Sequence, residues 1–535
     1  MAAGTGLPDF LEGKAAAAHW ARLGWRKRFG VCTPLASVRS SRGCGVGDFA
    51  DIERVAEWAN ACGATLVQVL PLNDMGTGCV PYAAVSAFAL DPIYTALDQV
   101  EAIQTDAAMR RRMEEVARAL NARSRVDYAA VRREKGALLD EAWRRSDGPV
   151  LRAILDEFEA QNPWIEDYAL FRVIREIEGY RAWEAWCERY DPARIARVRS
   201  EHSRRIERIR FEQWLLDRQL REAVERARAR GVRLIGDIPI LVARDSADVF
   251  AHRGLFLLDT SAGAPPDMYA QDGQNWGFPT YHWPAHRETG FAWWRSRLRH
   301  AERYFDLYRV DHVVGFFRIW TIPLGERTGR NGRFVPEDEA LWGPQGREIL
   351  EMMLETTPML PLAEDLGTIP PVCRQTLHAL GICGLKIQRW ERDWERDRRF
   401  LRPEEYAPLS VAMLSTHDSE TFAGWWEAFP EDRQRLYETL GGTGAAPERL
   451  DPALHARYVQ WLSSAGSIFY ILMVQDLLWP LGVIGGDPAE HRINVPGVVN
   501  DTNWTWRWPV DLERLLEDRQ GPERVRAWIG PERIG

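Results

Sequence analysis

Three segments along the chain share one pattern, in which an amphipathic helix ends at a glycine and a short apolar run follows at once. The glycines are Gly63, Gly231 and Gly381. The helical segments before them read DIERVAEWANAC, LREAVERARAR and VCRQTLHAL, and the runs after them read ATLVQVLPL, VRLIGDIPI and ICGLKIQRW. Glycine just past a helix end adopts the left-handed conformation at little cost, and a helix that leads directly into a buried strand is typical of parallel βαβ units. The pattern therefore predicts an α/β protein with a parallel sheet.

Short apolar runs of the strand type occur at eight places. They lie near residues 30–36, 65–72, 233–240, 307–313, 359–366, 384–390, 410–416 and 469–475. A (β/α)₈ or TIM barrel needs eight parallel strands, so this number favours that fold class. An open doubly wound sheet is the alternative, but no G-x-G-x-x-G segment supports it.

The connection between the second and third runs is far longer than one crossover requires. Residues 100–210 are rich in Ala, Arg and Glu with helical periodicity, as in YAAVRREKGALLDEAWRR. We interpret this segment as a helical subdomain inserted into a single catalytic barrel that spans residues 1–535. No strand-rich tail follows the eighth run, so no C-terminal β-domain is expected.

Charge, cysteine content and the absence of long apolar stretches limit the possible partners and cellular location. The formal net charge is −8, whereas nucleic-acid-binding proteins usually carry a basic surface. The N-terminal segment lacks the features of a signal peptide, and the apolar stretch FYILMV is too short to span a membrane. The 7 cysteines are scattered without a C-x-x-C pair, which indicates reduced thiols. We expect a cytoplasmic protein without a nucleic-acid partner, a membrane segment or a cofactor.

Acidic residues stand where three of the apolar runs end. They are Asp311 in LYRVDH, Glu364 in LPLAEDLG and Asp418 in AMLSTHD. In a barrel of this type the catalytic groups sit at the carboxyl ends of the strands, which open on one face. We therefore expect the three carboxylates to converge, although they are far apart in sequence.

A cluster of carboxylates is suited to cleaving glycosidic bonds. Like charges raise the pKa of one member, so one acid can protonate the leaving oxygen while another, ionised, attacks the anomeric carbon. Arg309 lies on the same strand face as Asp311 and can hold that carboxylate ionised, and His417 adjoins Asp418 and can bind a sugar hydroxyl. The cluster predicts cleavage of α-glucosidic bonds with retention of configuration.

Each of these residues also has a simpler explanation. A single acid at a strand end often caps a helix, and we expect that role for Asp365, next to Glu364. Neighbouring Asp and His residues also suggest metal binding, but no third ligand stands at a suitable spacing, so no metal site is predicted.

The strings around the acids resemble a known family. The chain contains RVDHVVGFFRIW, PLAEDLGTIP and LSTHDSETF, which are similar to the strand-four, strand-five and strand-seven motifs of the 4-α-glucanotransferases of glycoside hydrolase family 77 (amylomaltases or disproportionating enzymes). Flanking strings that agree with this family include GVGDF, SAFALDP, GDIPILVARDSADVF, PPDMYAQDGQNWGFPTYHW and RINVPGVVNDTNWTWR. The resemblance, from about residue 30 to residue 510, implies a barrel that transfers α-1,4-glucan segments or glucose from a donor maltodextrin to the 4-hydroxyl of an acceptor.

Roles for individual residues follow from this resemblance. Asp311 matches the nucleophile, Glu364 the general acid/base, and Asp418 the acid that stabilises the transition state by gripping and distorting the sugar. Arg309 and His417 match residues that support the same site.

Substrate-binding positions of the family are matched as well. Tyr82 matches a tyrosine that stacks on the cleaved sugar, and Asp237 matches a position near that sugar, although a loop anchor explains Asp237 equally well. Trp276 lies in a string that resembles the loop over the acceptor region. The chain has 24 tryptophans, and indole rings pack well on sugars. Trp276, Trp425 and Trp426 are candidates for walls that favour an acceptor sugar over water, with core packing as the alternative for the last two.

The chain departs from the common bacterial pattern in two places. Val314 replaces an arginine that often follows the nucleophile, and Val80 replaces the serine of a Ser-Pro-Tyr string. The strings VVGFFRIW and GQNWGFPTY are more similar to the plant-type disproportionating enzyme, which uses maltose and a soluble heteroglycan. The preferred donor and acceptor, and the oligomeric state, therefore stay open.

Other functions could use the same residues. One alternative is a hydrolase of the α-amylase kind, which would use the same acids. The other is a non-catalytic glucan-binding protein, in which some of these acids would have been lost. The intact Asp311, Glu364 and Asp418 argue against the second, and the strings around Tyr82 and Trp276 favour transfer over hydrolysis.

Overall fold

A closed barrel of eight parallel strands forms the centre of the protein. The computed structural model describes residues 6–266 and 271–535. Each barrel strand pairs with its neighbours in sequence, and the last pairs with the first. The strands are β1 (Arg28–Thr33), β2 (Leu66–Val69), β3 (Arg233–Ile238), β4 (Leu307–Val310), β5 (Leu360–Ala363), β6 (Cys383–Ile387), β7 (Ser410–Met413) and β8 (Phe469–Met473). Each predicted apolar run overlaps one strand, so the (β/α)₈ barrel is confirmed and the open sheet is excluded.

The strands are apolar on both faces because both faces are buried. Every residue of β1, β2, β4, β5, β7 and β8 is buried. One face fills the barrel interior and the other packs under the surrounding helices, as is usual for parallel sheets. This explains why the sequence shows continuous apolar runs and not a strict alternation.

The glycines after the three predicted helices have the left-handed conformation. The φ angles of Gly63, Gly231 and Gly381 are 89°, 79° and 83°. In each case the N–H of the next residue donates to the carbonyl five residues before it, over 2.9, 3.1 and 2.9 Å. This bond closes the helix end and turns the chain directly into β2, β3 or β6.

Helices surround the barrel and fill the long connection after β2. The longer ones are Phe49–Ala61, Ala107–Asn121, Tyr128–Ser146, Pro149–Gln161, Trp164–Ile177, Pro192–Glu201, Ser203–Ala229, Ala292–Ala301, Trp342–Thr356, Pro371–Leu380, Pro430–Thr439 and Pro452–Ser463. The shorter ones are Ala17–Leu23, Glu101–Thr105, Ala247–Ala251, Trp283–Glu288, Phe422–Ala428, Val474–Leu478, Leu512–Glu517 and Gln520–Trp528.

The connection between β2 and β3 is helical, as its periodicity predicts. Its last helix, Ser203–Ala229, is 27 residues long and packs against helix Phe49–Ala61 of the barrel layer. The expected end of the inserted subdomain at residue 210 falls inside this helix. The helix therefore begins in the insert and ends in the layer of helices around the barrel. The division of the chain into one catalytic barrel and an insert at 100–210 stays a prediction.

A small antiparallel sheet lies beyond the carboxyl ends of β3 and β4, where sequence analysis placed no strands. Its strands are Thr260–Ala264, Gln274–Asn275, Ile319–Pro323 and Arg333–Val335, and a separate pair joins Phe256–Leu257 to Thr280–Tyr281. Four of these strands are two or three residues long, and the two of five residues have no strict alternation of buried and exposed positions, so none shows a clear period of two. Within residues 6–266 and 271–535, no strand follows Met473, and no helix is long and apolar enough to cross a membrane.

Candidate active site

Strand register brings Asp311 and Glu364 to one level of the barrel. Arg309 on β4 is paired with Asp237 on β3. Beyond the strand ends the ladder continues, because the N–H of Asp311 donates to the carbonyl of Ile238 over 3.2 Å and the N–H of Glu364 donates to that of Val310 over 2.9 Å. Each acid therefore stands at the point where its strand opens onto the carboxyl face of the barrel.

Arg309 ties together the acids at the ends of β3 and β4. Its Nη1 donates to Asp311 Oδ1 over 2.9 Å and to the two Asp237 oxygens over 3.0 and 3.1 Å. The Arg309 side chain is 9% exposed and that of Asp237 is fully buried, whereas that of Asp311 is 24% exposed. The guanidinium thus orients the Asp311 carboxylate from below and leaves part of it open to the barrel mouth.

Glu364 is fixed by backbone donors on both oxygens. The N–H of His312 donates to Oε2 over 2.7 Å, and the N–H of Leu366 donates to Oε1 over 2.9 Å. His312 has φ 46° and ψ 51°, a left-handed conformation that is uncommon for a residue with a side chain. Burial raises the pKa of Glu364 to about 7, with Arg309 lowering it and Asp311 raising it. Glu364 can therefore be protonated or ionised near neutral pH.

Asp418 has the opposite electrostatic character. Its Oδ2 lies 3.2 Å from His417 Nε2, and its Oδ1 accepts from Asn494 Nδ2 over 2.7 Å. Burial raises its pKa, but the imidazole of His417 and the hydrogen bonds from His417 and Asn494 outweigh that effect and hold the pKa well below its usual range. The side chain is 44% exposed, so an ionised carboxylate faces the cleft.

An aromatic cluster closes one side of this cleft. The rings of Tyr82 and His417 stack, with centroids 5.3 Å apart and planes inclined by 13°. Trp504 packs against both, at 5.8 Å from each ring, and has a left-handed φ of 66°. The Tyr82 hydroxyl donates to Asp237 Oδ2 over 2.6 Å, which links the cluster to Arg309.

Trp276 reaches the same site from the small antiparallel sheet. Its ring meets that of His312 edge to face, with centroids 5.0 Å apart. The backbone N–H of His312 donates to Glu364, so His312 contacts both Trp276 and the acid. All eight residues predicted for the site, Asp311, Glu364, Asp418, Arg309, His417, Tyr82, Asp237 and Trp276, thus belong to one connected cluster.

Some residues of the cluster were missed by sequence reasoning. Asn494 contacts Asp418, Trp504 contacts Tyr82, and the backbone of His312 contacts Glu364. Asn494 and Trp504 both lie in the string RINVPGVVNDTNWTWR. The resemblance to the family includes this string but does not single out either residue. The signal for His312 is a backbone angle, which a side-chain pattern does not carry.

The structure corrects the expectation for Asp365. Helix Pro371–Leu380 begins after Pro370, and Asp365 does not cap it. The Asp365 carboxylate is buried and instead accepts from the N–H of Leu385 over 2.8 Å and from Arg374 Nε over 3.2 Å. It therefore anchors the β5 loop to β6.

Trp425 and Trp426 belong to the core. They are 3% and 0% exposed, and both pack against Phe422 in the short helix Phe422–Ala428. Both residues therefore have the core-packing role that was the alternative for them. Of the three tryptophans proposed as aromatic walls, only Trp276 lies in the site cluster.

Over residues 6–266 and 271–535, no three His, Cys, Asp or Glu side chains are grouped so that they could hold a metal ion.

Comparisons with known proteins show which sequences and folds this chain resembles. The family model of the 4-alpha-glucanotransferases of glycoside hydrolase family 77 matches residues 33–512. The 4-alpha-glucanotransferase of Chlamydia muridarum is 36% identical over 93% of this chain and 94% of its own length. The 4-alpha-glucanotransferase DPE2 of Oryza sativa is 28% identical over 94% of this chain and 69% of its own length. The amylomaltase of Streptococcus agalactiae, solved in complex with acarbose, has a TM-score of 0.82 and 26% identity over 95% of this chain and 100% of that chain.

Proposed function

The chain belongs to the 4-alpha-glucanotransferases of glycoside hydrolase family 77, and on that premise we propose that it moves α-1,4-glucan segments or glucose between chains by a retaining double displacement. The observation that carries this mechanism is the pairing of two unlike acids. Burial raises the pKa of Glu364 to about 7, and Arg309 holds the Asp311 carboxylate in an ion pair at 2.9 Å. A proton donor and an ionised nucleophile are the two groups that cleavage with retention requires.

The reaction has two steps. In the first, a carboxylate oxygen of Asp311 attacks the anomeric carbon, the glycosidic C–O bond breaks, and Glu364 gives its proton to the leaving oxygen. The reducing-end fragment leaves, and a β-glucosyl ester remains on Asp311. In the second, ionised Glu364 takes the proton of an acceptor 4-hydroxyl, whose oxygen attacks the same carbon and releases Asp311. Two inversions give net retention.

The other site residues support these steps in different ways. Asp418, ionised and 44% exposed, accepts hydrogen bonds from the hydroxyls of the cleaved sugar and stabilises the positive charge of the transition state. Tyr82 forms the stacking surface for that sugar, with His417 behind it. Asp237 has no exposed side-chain surface, so it is a positioning residue that acts through Arg309 and Tyr82.

Transfer competes with hydrolysis for the glucosyl ester. Attack by the acceptor hydroxyl is faster than attack by water when an aromatic surface binds the acceptor sugar next to the ester. Trp276 supplies such surface, because it is partly exposed and its edge contact with His312 places it beside Glu364. We expect maltodextrins as donors and glucose or short glucans as acceptors, in the cytoplasm.

Product analysis with maltotriose as the sole substrate tests the proposed function. We expect glucose and maltodextrins longer than maltotriose, with no rise in the number of reducing ends, because transfer makes one glycosidic bond for each bond it breaks. Chromatography of the products and a reducing-sugar assay measure the two quantities. Shorter sugars alone, with a rising number of reducing ends, would contradict transfer and identify a hydrolase.

The pH dependence follows from Glu364. The acid must be protonated to assist the leaving oxygen, and its pKa is about 7, so kcat/KM should fall as the pH rises through about 7 and then about tenfold for each further pH unit. Initial rates between pH 5 and pH 9, corrected for stability by circular dichroism, give the profile. A flat profile up to pH 9 would show that Glu364 is not the acid.

A further inference from the structure

Glu420, two residues after Asp418, joins two arginines from different parts of the chain. Its Oε2 accepts from Arg389 Nη1 over 3.0 Å, and its Oε1 accepts from Arg492 Nη1 over 2.8 Å. Arg389 Nη2 also donates to the backbone carbonyl of Glu420 over 2.8 Å. The Arg389 side chain is 2% exposed, and salt screens a buried ion pair less than a surface pair. Glu420 is therefore fixed by Arg389 and offers its other oxygen to Arg492.

The guanidinium of Arg492 also binds the two segments that carry Asp418 and Asn494. Its Nε donates to the backbone carbonyl of Asn494 over 2.8 Å, and its Nη2 makes a longer bond of 3.4 Å to the backbone carbonyl of Asp418. A planar guanidinium presents its N–H donors at fixed angles, so this one group sets the positions of three acceptors relative to each other. Arg492 thus fastens the main chain of both residues to Glu420.

Asn494 connects this arrangement to the catalytic carboxylate. Its Nδ2 donates to Asp418 Oδ1 over 2.7 Å, and its backbone N–H donates to the carbonyl of His417 over 3.2 Å. Burial raises the pKa of Asp418, and His417 and then Asn494 lower it by more. The position of Asn494 therefore affects both the orientation and the charge of the Asp418 carboxylate, and Arg492 helps to set that position.

Arg492 stands at the start of a loop whose two ends meet. The backbone N–H of Trp504 donates to the carbonyl of Ile493 over 2.7 Å, which closes the loop between these two residues. The far end is anchored by the Tyr128 hydroxyl, which donates to the carbonyl of Trp504 over 2.9 Å. These bonds give the loop its shape and hold its far end, but they do not fix its first residues against Asp418. The guanidinium of Arg492 supplies that contact.

From this geometry we propose that Arg492 is a positioning residue for the transfer reaction, which holds Asn494 against the Asp418 carboxylate. It does so by binding Glu420 and two backbone carbonyls with one rigid group. The inference rests on the proposed function for the role of Asp418. Because the bond from Arg492 to Asp418 goes to the main chain, its effect on the carboxylate passes through Asn494. A carboxylate out of place stabilises the positively charged transition state less, and this lowers kcat more than it weakens substrate binding.

Replacing Arg492 by Ala gives the first measurement. We expect kcat for consumption of maltotriose to fall about 10- to 100-fold, the size of effect that a lost charge-assisted hydrogen bond produces, with a much smaller change in KM. Arg433→Ala is the matched control, because Arg433 is also partly buried and donates to backbone carbonyls, those of Trp426 and Glu448, outside the catalytic cluster. This control should keep the parent kcat. Circular dichroism melting curves show whether each variant is folded.

A double-mutant cycle tests whether Arg492 acts through Asn494. Asn494→Ala should lose at least as much kcat as Arg492→Ala, and the double variant should lose no more than Asn494→Ala within about twofold. Chemical rescue adds a measurement that a general loss of stability would not reproduce. Ethylguanidinium in the assay should restore part of the kcat of Arg492→Ala, because it can occupy the place of the missing group, and should not raise the kcat of Asn494→Ala.

Two results would overturn the inference: a parent-like kcat in Arg492→Ala, or losses that multiply in the double variant. If Arg492→Ala does not fold, Arg492→Lys replaces it in the same cycle, because a lysine keeps the charge beside Glu420 but lacks the planar set of donors. Failure of the proposed function gives a different result. In that case the parent enzyme makes only shorter sugars from maltotriose, while kcat for their release still shows whether Arg492 acts through Asn494.

Discussion

Replacing Asp311 by Asn should lower kcat for transfer between maltodextrins by at least about 10⁴-fold, because an amide does not form the glucosyl ester on which both steps depend. The fold should be unchanged, since Arg309 keeps its two bonds to Asp237 and the amide oxygen can still accept from Arg309. Rates with maltotriose, together with the melting temperature by circular dichroism, measure the two effects. Asp259→Asn, a substitution of an exposed aspartate outside the catalytic cluster, is the control and should retain full activity.

Azide can identify the role that Asp311 plays. In Asp311→Ala, azide has room to attack α-maltosyl fluoride directly, and one inversion gives β-maltosyl azide. Proton NMR of the product reports the anomeric configuration. Recovery of α-maltosyl azide, or turnover of Asp311→Asn at the parent rate, would show that Asp311 is not the nucleophile.

Replacing Glu364 by Gln should lower kcat with maltotriose by about 10²- to 10⁴-fold, the usual contribution of a positioned general acid. The amide keeps an oxygen for the backbone N–H of His312 or Leu366 but has no proton of suitable pKa for the leaving oxygen. The loss should be much smaller for the first step with α-maltosyl fluoride, because fluoride leaves without protonation. Comparing burst amplitudes for the two substrates separates the acid role from a structural one.

Glu364→Ala extends this test to the second step. With α-maltosyl fluoride the glucosyl ester should form and accumulate, because no base activates the acceptor, and mass spectrometry of the peptide with Asp311 should detect it. Azide, which needs no base, should then release α-maltosyl azide, the opposite anomer to that from Asp311→Ala. Equal losses for maltotriose and for the fluoride, without accumulation of the ester, would contradict the acid/base role.

Much of the fold was predictable because its signals are local. Glycine after a helix, as at Gly63, and continuous apolar runs such as β8 are visible in short windows of sequence. Strands of two or three residues in the small sheet are not, because their pairing with distant segments and not their own pattern stabilises them. Asp365 illustrates the same limit: its position suggested a helix cap, whereas its partner Leu385 lies on the next strand.

The sequence by itself determined the family and the set of acids at the strand ends, because the matching strings and the ends of apolar runs are linear features. Only the tertiary structure decided how those acids differ. Burial beside Arg309 raises the pKa of Glu364. His417, and after it Asn494 from the far end of the chain, lower the pKa of Asp418. Electrostatic character depends on which groups are brought within a few ångströms, and that proximity exists only once the barrel is closed.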